Sequence, residues 1–527
     1  MTIGTASHWI TAPVLVPAVI AALMLFVGDR RLGAQRALGL ASCIALAVIA
    51  ANLLARGASG DVQPYFAGDW PAPFGIVLVL DRLAAFMLAL TAAVALFALV
   101  AAVGGRDPVD AHGRHFHPLF QFQLMGLNGA FLTGDLFNLF VFFEVLLIAS
   151  YCLLAHGQSA PRLKAAVHFT VINLAASGVF LIAVAMLSAV TGTLNMADLA
   201  LRVRELPAAD VPLARAGALL LLVVFAVKAA AFPLYLWLPG AYAAAAAPVA
   251  ALFAVMTKVG VYSIMRVHGT IFGPGAGDAA LVTGSWLEVG ALATAVLAVV
   301  GALGAQSIGR MTAYLTIASV GTLLIALGRF SAEALGAALY YAAHSTFVIA
   351  ALFLLAAEIG FRRGATGDRL VPGPAIARPL VLGGAFLVAA ASVVGLPPFS
   401  GFVGKLMILT ATRDLPATAV LWSVVLSTGL LAMIGLTRAG AIVFWTPGGP
   451  APDAPVRGGR FGLWPALAML ACGIALAVFA APVKRYADAA GRQIADTQRY
   501  AADLLGDGKA RSVRPFPGGI RPEGGKP

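Results

Sequence analysis

An all-α, polytopic membrane protein with about 14 transmembrane helices is the fold class this sequence predicts, and three observations carry it. The 527 residues are 61% hydrophobic and only 11% charged, at a mean hydropathy of +0.92. A soluble domain carries roughly 25% charged residues. Apolar runs recur almost from end to end, each near the roughly 20 residues that a helical crossing needs. The runs are continuous rather than alternating, which excludes a membrane β-barrel.

The first runs lie near 11–27, 37–55 and 80–103. No basic segment precedes the first, and Asp29, Arg30 and Arg31 follow it, so it reads as a retained helix rather than a signal peptide. Runs near 119–133, 136–155, 166–190, 214–231 and 243–265 form a first group. Those near 280–304, 311–328, 333–357, 379–395, and 400–412 with 417–444 form a second, and 463–481 closes the series. The implied domains are 1–115 (helices 1–3), 116–268 (first repeat), 279–445 (second repeat), 460–482 (last helix) and 483–527 (amphipathic segment and disordered basic tail). Within 483–505, Tyr486, Ile494, Tyr500 and Leu504 alternate with polar residues, which suits an interfacial helix. The stretch beyond is basic and rich in Gly and Pro, a composition that reads as disordered.

The net charge of +12 would suggest nucleic-acid binding in a soluble protein. Here the basic residues sit in loops and the tail, so they report orientation instead. Arg30, Arg31, Arg36, Arg162, Lys164, Arg362, Arg363, Arg369, Arg378, Arg457 and Arg460 fall in odd-numbered loops, which places those loops in the cytoplasm. Arg202, Arg204 and Arg215 oppose that trend. Cys43, Cys152 and Cys472 stand singly in apolar runs and read as buried, inert thiols. No phosphate loop, dinucleotide fingerprint or haem-spaced histidine pair occurs, so no cofactor or metal is expected, and no enzymatic reaction by this chain alone.

Two apolar runs are broken by proline. In 223–240, Pro233 follows Lys228 by five residues; in 393–409, Pro397 and Pro398 precede Lys405. Proline removes an amide donor and frees the carbonyl four residues back. Inside a membrane such breaks persist only where protein or water satisfies the backbone. A broken helix in each half points to two inverted five-helix repeats with a site near the midplane.

Glu144, Lys228, Lys258 and Lys405 lie well inside apolar runs, where a charge costs roughly 2.5–3.5 kcal/mol at the centre of a helix. Such residues are retained where they face a partner or a wet cavity, and then mark an ion path. Glu144 has no opposite charge within a turn, and Lys228 is its candidate partner. A nearby carboxylate favours the ammonium form of a lysine, and its withdrawal favours proton release. His344, between the two broken helices in sequence, suits a relay between them. Asp135 reads as a helix cap, Asp81 with Arg82 as an interfacial pair, and Glu358 as the cytoplasmic end of a helix. His112, His115 and His117 read as a solvated loop cluster.

At these residues the chain resembles the antiporter-like subunits of respiratory complex I and the Mrp-type (Pha, Mnh) cation/proton antiporters. The resemblance implies a proton path through a glutamate of the fifth helix, lysines of the broken seventh and of the eighth, a bridging position in the eleventh, and a lysine or glutamate of the broken twelfth. Glu144, Lys228, Lys258, His344 and Lys405 fall at those motifs. GDWPAPFGIVLVLDRL (68–83), HFHPLFQFQLMGLNGAFLTGDLFNLFVFFEVLLIASY (115–151) and TGTLNMADLA (191–200) are similar to the D-type subunits of Mrp antiporters. Lys405, in GFVGK, differs from the glutamate of the M-type complex I subunit.

The resemblance further implies a bacterial inner-membrane location, A-, B-, C-, E-, F- and G-type partner subunits, and protons with Na⁺, K⁺ or Li⁺ as cargo. Two readings stand at this point. One is a proton-translocating subunit of a monovalent cation/proton antiporter; the other is a proton-pumping arm of a NADH:quinone oxidoreductase or a membrane-bound hydrogenase. A dedicated Na⁺ site should show clustered oxygen ligands. Only Glu144 and Asp135 are available within the apolar runs, which leaves the cation's crossing point open.

Overall fold

A computed structural model describes residues 8–505 apart from 71, 74, 106, 107, 377, 378, 447 and 450–461. Arg378, Arg457, Arg460 and the basic tail beyond 505 therefore lie outside the described residues. The chain opens with α1 (Ala12–Val27) and α2 (Leu32–Gly57). A short antiparallel hairpin follows, β1 (Gln63–Phe66) against β2 (Val77–Leu80), with Gln63 opposite Leu80. Then come α3 (Arg82–Gly104), α4 (Phe116–Leu132), α5 (Leu136–Ala155), α6 (Ala160–Thr191) and the short α7 (Met196–Arg204).

The first broken helix is α8 (Val211–Ala229) with α9 (Trp237–Ala244). It is followed by α10 (Ala247–Ser263), α11 (Gly284–Leu303), α12 (Ile308–Leu327) and the long α13 (Ala332–Arg362). The second broken helix is α14 (Pro379–Val394) with α15 (Ser400–Ala411). The chain closes with α16 (Thr418–Gly440), α17 (Trp464–Val478), α18 (Ala480–Ala495) and α19 (Thr497–Leu505).

Among the described residues, ten helices are long and apolar enough to cross a membrane, or eleven if α17 and α18, bent by 82°, form one span. α1, α14 and α15 are shorter apolar helices. α10 is buried along its whole length and sits among α3, α8, α12 and α13. The outer helices turn Phe26, Val167, Val300, Leu387 and Leu430 outward, as a lipid solvent permits.

Several local expectations change. Cys43 is buried but Cys152 is exposed and Cys472 intermediate. Cys152 shares the outward face of α5 with exposed Val141 and Ile148, because helix positions seven and eleven residues apart lie on one side. Asp81 does not pair with Arg82: it caps α3 through Ala84 N and forms a buried bidentate pair with Arg266, at 2.8 Å for Nη2–Oδ1. The side chain of Arg82 instead donates to Ala58 O.

The amphipathic segment becomes α18 and α19, and its apolar face is covered by protein. α18 packs on α13 and α3, and α19 packs on α7 and β1. Arg82 N donates to Gln493 Oε1 at 3.0 Å, Gln493 Nε2 to Gly60 O at 3.0 Å, and Thr497 Oγ1 to Thr270 O at 3.2 Å. The ring of Tyr500 lies 5.7 Å from the Arg266 guanidinium. We refer to this end of the molecule as the hairpin end.

At the opposite end, the histidine cluster is not a solvated loop throughout. His117 is buried in the first turn of α4, and its Nε2 lies 3.0 Å from Asp110 Oδ2. Arg36 holds the same carboxylate at 2.7 and 2.9 Å, joining α2 to the loop before α4. His115 faces Asp29. Burial on its own would raise the pKa of Asp110, but the bonds from His117 and Arg36 outweigh it and hold the pKa at about 2. His156 Nε2 donates to Val109 O at 3.0 Å and fixes the same loop to the end of α5.

A depressed carboxyl stabilises the fold above its unfolded value of 3.8, and that contribution disappears as the pH falls through about 2. Asp110→Asn is therefore expected to lower the melting temperature at pH 7. The difference from the parent should shrink as the pH falls from about 4 toward 2, read by thermal unfolding in detergent.

Candidate functional site

α8 stops at Ala229 because Ala230 takes a left-handed conformation, φ 56°, just before Pro233. The backbone groups released by this break find partners. Phe232 N donates to Thr294 Oγ1 of α11 at 2.8 Å, and Trp237 Nε1 donates to Val227 O at 3.1 Å. Lys228, in the last turn of α8, is only 4% exposed. Its Nζ donates to Asn173 O at 3.1 Å and to Ser177 Oγ at 3.2 Å, both on α6, and lies 5.8 Å from the centre of the Phe143 ring.

Ser177 in turn donates to Glu144 Oε1 on α5, so one hydroxyl stands between the carboxylate and the amine. Glu144 itself is only half-buried by this chain. A direct Glu144–Lys228 contact is thus replaced by a bridge. A hydroxyl both accepts from an ammonium and donates to a carboxylate, which no apolar residue could do at this place.

α10 crosses α8 at very close range: a Cβ added to Gly260 would lie 2.4 Å from Ala229 N. Lys258, 1% exposed, points away from that crossing and donates to Ser319 Oγ of α12 at 3.1 Å. Ser319 donates onward to Thr316 O at 2.6 Å. Ser319 also lines a cavity of about 30 Å³ together with Thr322, Tyr341, His344, Lys405 and Thr428. That is on the scale of one water's share of liquid volume. Lys258 therefore reaches His344 and Lys405 through one serine and one small cavity of mixed lining.

His344 Nδ1 lies 2.9 Å from Ser400 Oγ, the first residue of α15. Lys405 reaches back across the second break, and its Nζ donates to Val394 O at 2.7 Å, a carbonyl freed where α14 ends. The close fit depends on glycine: a Cβ at Gly401 would fall 1.9 Å from Ser392 O and 2.8 Å from His344 Nε2.

The structure thus brings Glu144 with Lys228, and Lys258 with His344 and Lys405. Among the described residues, no hydrogen bond joins the two groups. Asp135 caps α5 through Asn138 N at 2.8 Å and stands apart from both. Glu358 pairs with Arg362 one turn on, at 2.9 Å, at the far end of α13. Asn173, Ser177, Thr294, Ser319 and Ser400 escaped sequence reasoning. Hydroxyls inside apolar helices usually bond their own preceding turn, as Thr170 and Thr312 do here, so their presence alone singles out nothing.

A polytopic helical protein with two broken helices and an internal line of lysines belongs to the class of membrane subunits that carry charge-bearing groups through the bilayer interior. More particularly, the chain belongs to the family described as NADH:quinone oxidoreductase/Mrp antiporter, TM, which matches residues 133–431 and so takes in Glu144 through Lys405. The D-type subunit of a probable K(+)/H(+) antiporter from Rhizobium meliloti (strain 1021) is 39% identical over 96% of this chain and 99% of its own. The D-type subunit of the Na(+)/H(+) antiporter of Alkalihalophilus pseudofirmus (strain OF4) is 35% identical over 95% and 99%. A chain of the Mrp complex from Dietzia sp. DQ12-45-1b superposes with a TM-score of 0.83 at 27% identity, covering 95% of this chain and all of that one. A chain of the membrane-bound sulfane sulfur reductase, an archaeal respiratory membrane complex, gives 0.82 at 25% identity, covering 95% and 99%.

Two glycines of the second broken helix, Gly401 and Gly384, make a paired test. Gly401→Ala must displace Ser392 or His344 and is expected to cost about 1–3 kcal/mol or more. Gly384→Ala, in α14, has nothing within 4 Å of the new methyl and should leave stability equal or slightly higher. Thermal unfolding of the two variants beside the parent checks both.

Proposed function

We propose that this chain is the proton-translocating D-type subunit of a multi-subunit monovalent cation/proton antiporter in a bacterial plasma membrane. It would be a secondary transporter subunit rather than an enzyme, assembled with A-, B-, C-, E-, F- and G-type subunits. The observation that carries this reading is the Ser177 bridge: a carboxylate and a lysine share one hydroxyl in the membrane interior, while a second buried lysine bonds a serine that lines a small internal cavity. The full-length similarity to D-type antiporter subunits supports it.

We count fourteen crossings, taking α8 with α9 and α14 with α15 as single broken spans and α1, α4 and α17 as short ones. Residues 116–268 and 279–445 then form the two inverted five-helix repeats, with Pro233 and with Pro397 and Pro398 at their breaks. In this orientation the hairpin end faces outward.

Glu144 close to Ser177 stabilises the ammonium of Lys228, and its withdrawal leaves that amine ready to release its proton. Lys258, through Ser319, then passes protons to the cavity that His344 and Lys405 border. Lys405 serves as the last group of the line. Short steps between neutral and charged forms avoid stranding a charge in hydrocarbon. The cation's own route lies with a partner subunit or a subunit interface, since among the described residues no group of three or more His, Cys, Asp or Glu side chains is placed to hold a metal ion.

The likeness to a chain of an archaeal respiratory complex keeps a redox-driven proton pump as the second reading. Everted vesicles carrying the whole complex separate the two. With Na⁺ and K⁺ tested separately, added cation should dissipate a pH gradient. Glu144→Ala and Lys228→Ala should each abolish that response with the complex still assembled. Parental exchange in either variant would falsify the assignment.

A further inference from the structure

A fully buried titratable group lies outside the line of lysines. His268 is 0% exposed, and neither of its ring nitrogens has a hydrogen-bond partner. Buried polar atoms are almost always paired, so an imidazole with both nitrogens free needs a physical reason. Its backbone setting is unusual as well. His268 ends the π-helical turn Ile264–His268 that extends α10 beyond Lys258 toward the hairpin end. Single π-turns within α-helices occur frequently at functional sites.

The ring packs 5.9 Å from that of Phe225, three residues before Lys228 on α8. Phe225 in turn stacks on Phe143 at 6.4 Å and meets Phe180 at 5.7 Å. Phe143 is the ring against which the Lys228 amine rests. Side chains on a helix lean toward its N-terminus. For α8 that direction is the hairpin end, and for α10 it is the centre, so Lys228 and His268 approach each other from opposite sides of this aromatic cluster. The backbone contact between Ala229 and Gly260 holds the two helices at that distance.

The other charged and titratable groups nearby are already committed. Arg266 is locked to Asp81 and bonded to Tyr262, and Tyr500 covers its guanidinium. On the hairpin side of His268, the buried hydroxyl of Thr270 also has no partner.

We propose that His268 relays protons between Lys228 and the hairpin end, with Phe143, Phe180 and Phe225 as an aromatic gate between amine and imidazole. This rests on the antiporter reading above. The proton leaves Lys228 Nζ and adds to the lone pair of the unprotonated ring nitrogen. The proton on the other nitrogen departs on the side of Thr270, and Lys228 is reprotonated from the Glu144 side. Two unpaired nitrogens are what such a relay requires, since one must accept while the other releases.

The test is exchange by the assembled complex in everted vesicles. His268→Gln keeps size and hydrogen-bonding capacity but cannot titrate. Turnover is expected to fall about tenfold or more, with the half-saturating cation concentration unchanged; a purely structural histidine would tolerate glutamine. Phe225→Leu, which stays apolar but opens the gate, is expected to give a proton leak without added cation, and this decides the matter if the glutamine variant does not assemble. Parental turnover in His268→Gln, or parental tightness in Phe225→Leu, overturns the relay. If His268→Gln exchanges normally while Lys228→Ala is inactive, only the relay falls. If Lys228→Ala also exchanges normally, the antiporter reading falls with it.

Discussion

The rest of this molecule depends on one constraint: in hydrocarbon, each backbone polar group must find its partner within protein. The constraint is sharpest at the two broken helices, where proline releases carbonyls and amides in mid-membrane. At the first break, a threonine from α11 and a tryptophan from α9 take up the freed groups. At the second, the lysine itself does so, through Val394 O. The two breaks are therefore built differently. Lys228 stands before its break and bonds a neighbouring helix, whereas Lys405 stands after its break and bonds its own.

That difference has mechanical content. The amine of Lys228 is held by α6, so its environment changes when α5 and α6 move relative to α8. The amine of Lys405 is held by the broken helix that carries it, so its environment changes when that helix flexes at the break. Between them, α10 is buried on every side and serves as the fixed element against which both halves pack. Gly260 allows the backbone approach on one face, and Ser319 supplies the polar contact on another.

Much of the helical architecture was legible because lipid imposes a length and a composition on every crossing. The breaks were legible because proline has a fixed backbone chemistry, and the ionisable residues because their presence in apolar runs is costly. The bridging hydroxyls were not. Ser177 and Ser319 matter through the helix they face, which depends on packing between segments distant in sequence, whereas a serine's identity is common to many neutral positions. Asp81 illustrates the same limit. Its neighbour Arg82 looked like its partner, yet the tertiary fold offers Arg266 from 185 positions away. Asp110 shows it again: its carboxylate is held by Arg36 from 74 positions away as well as by the nearby His117. Local order misleads wherever a long-range ion pair is better enclosed than a short-range one.

The contacts of the last two helices tie distant parts of the chain together. Gln493 closes onto Gly60 and Arg82, Tyr486 onto Arg82, and Thr497 onto Thr270. Residues near the start of the sequence are thus tied to residues 411 and 433 positions further on. Without α18 and α19, Arg266 keeps the ring of Tyr262 at 5.4 Å but lacks that of Tyr500 at 5.7 Å, and α3 and α13 lack the helix that packs on them. The last described helices thus act as a clasp: three side chains, Tyr486, Gln493 and Thr497, fasten the loop after α2, the start of α3 and the end of α10 at one place.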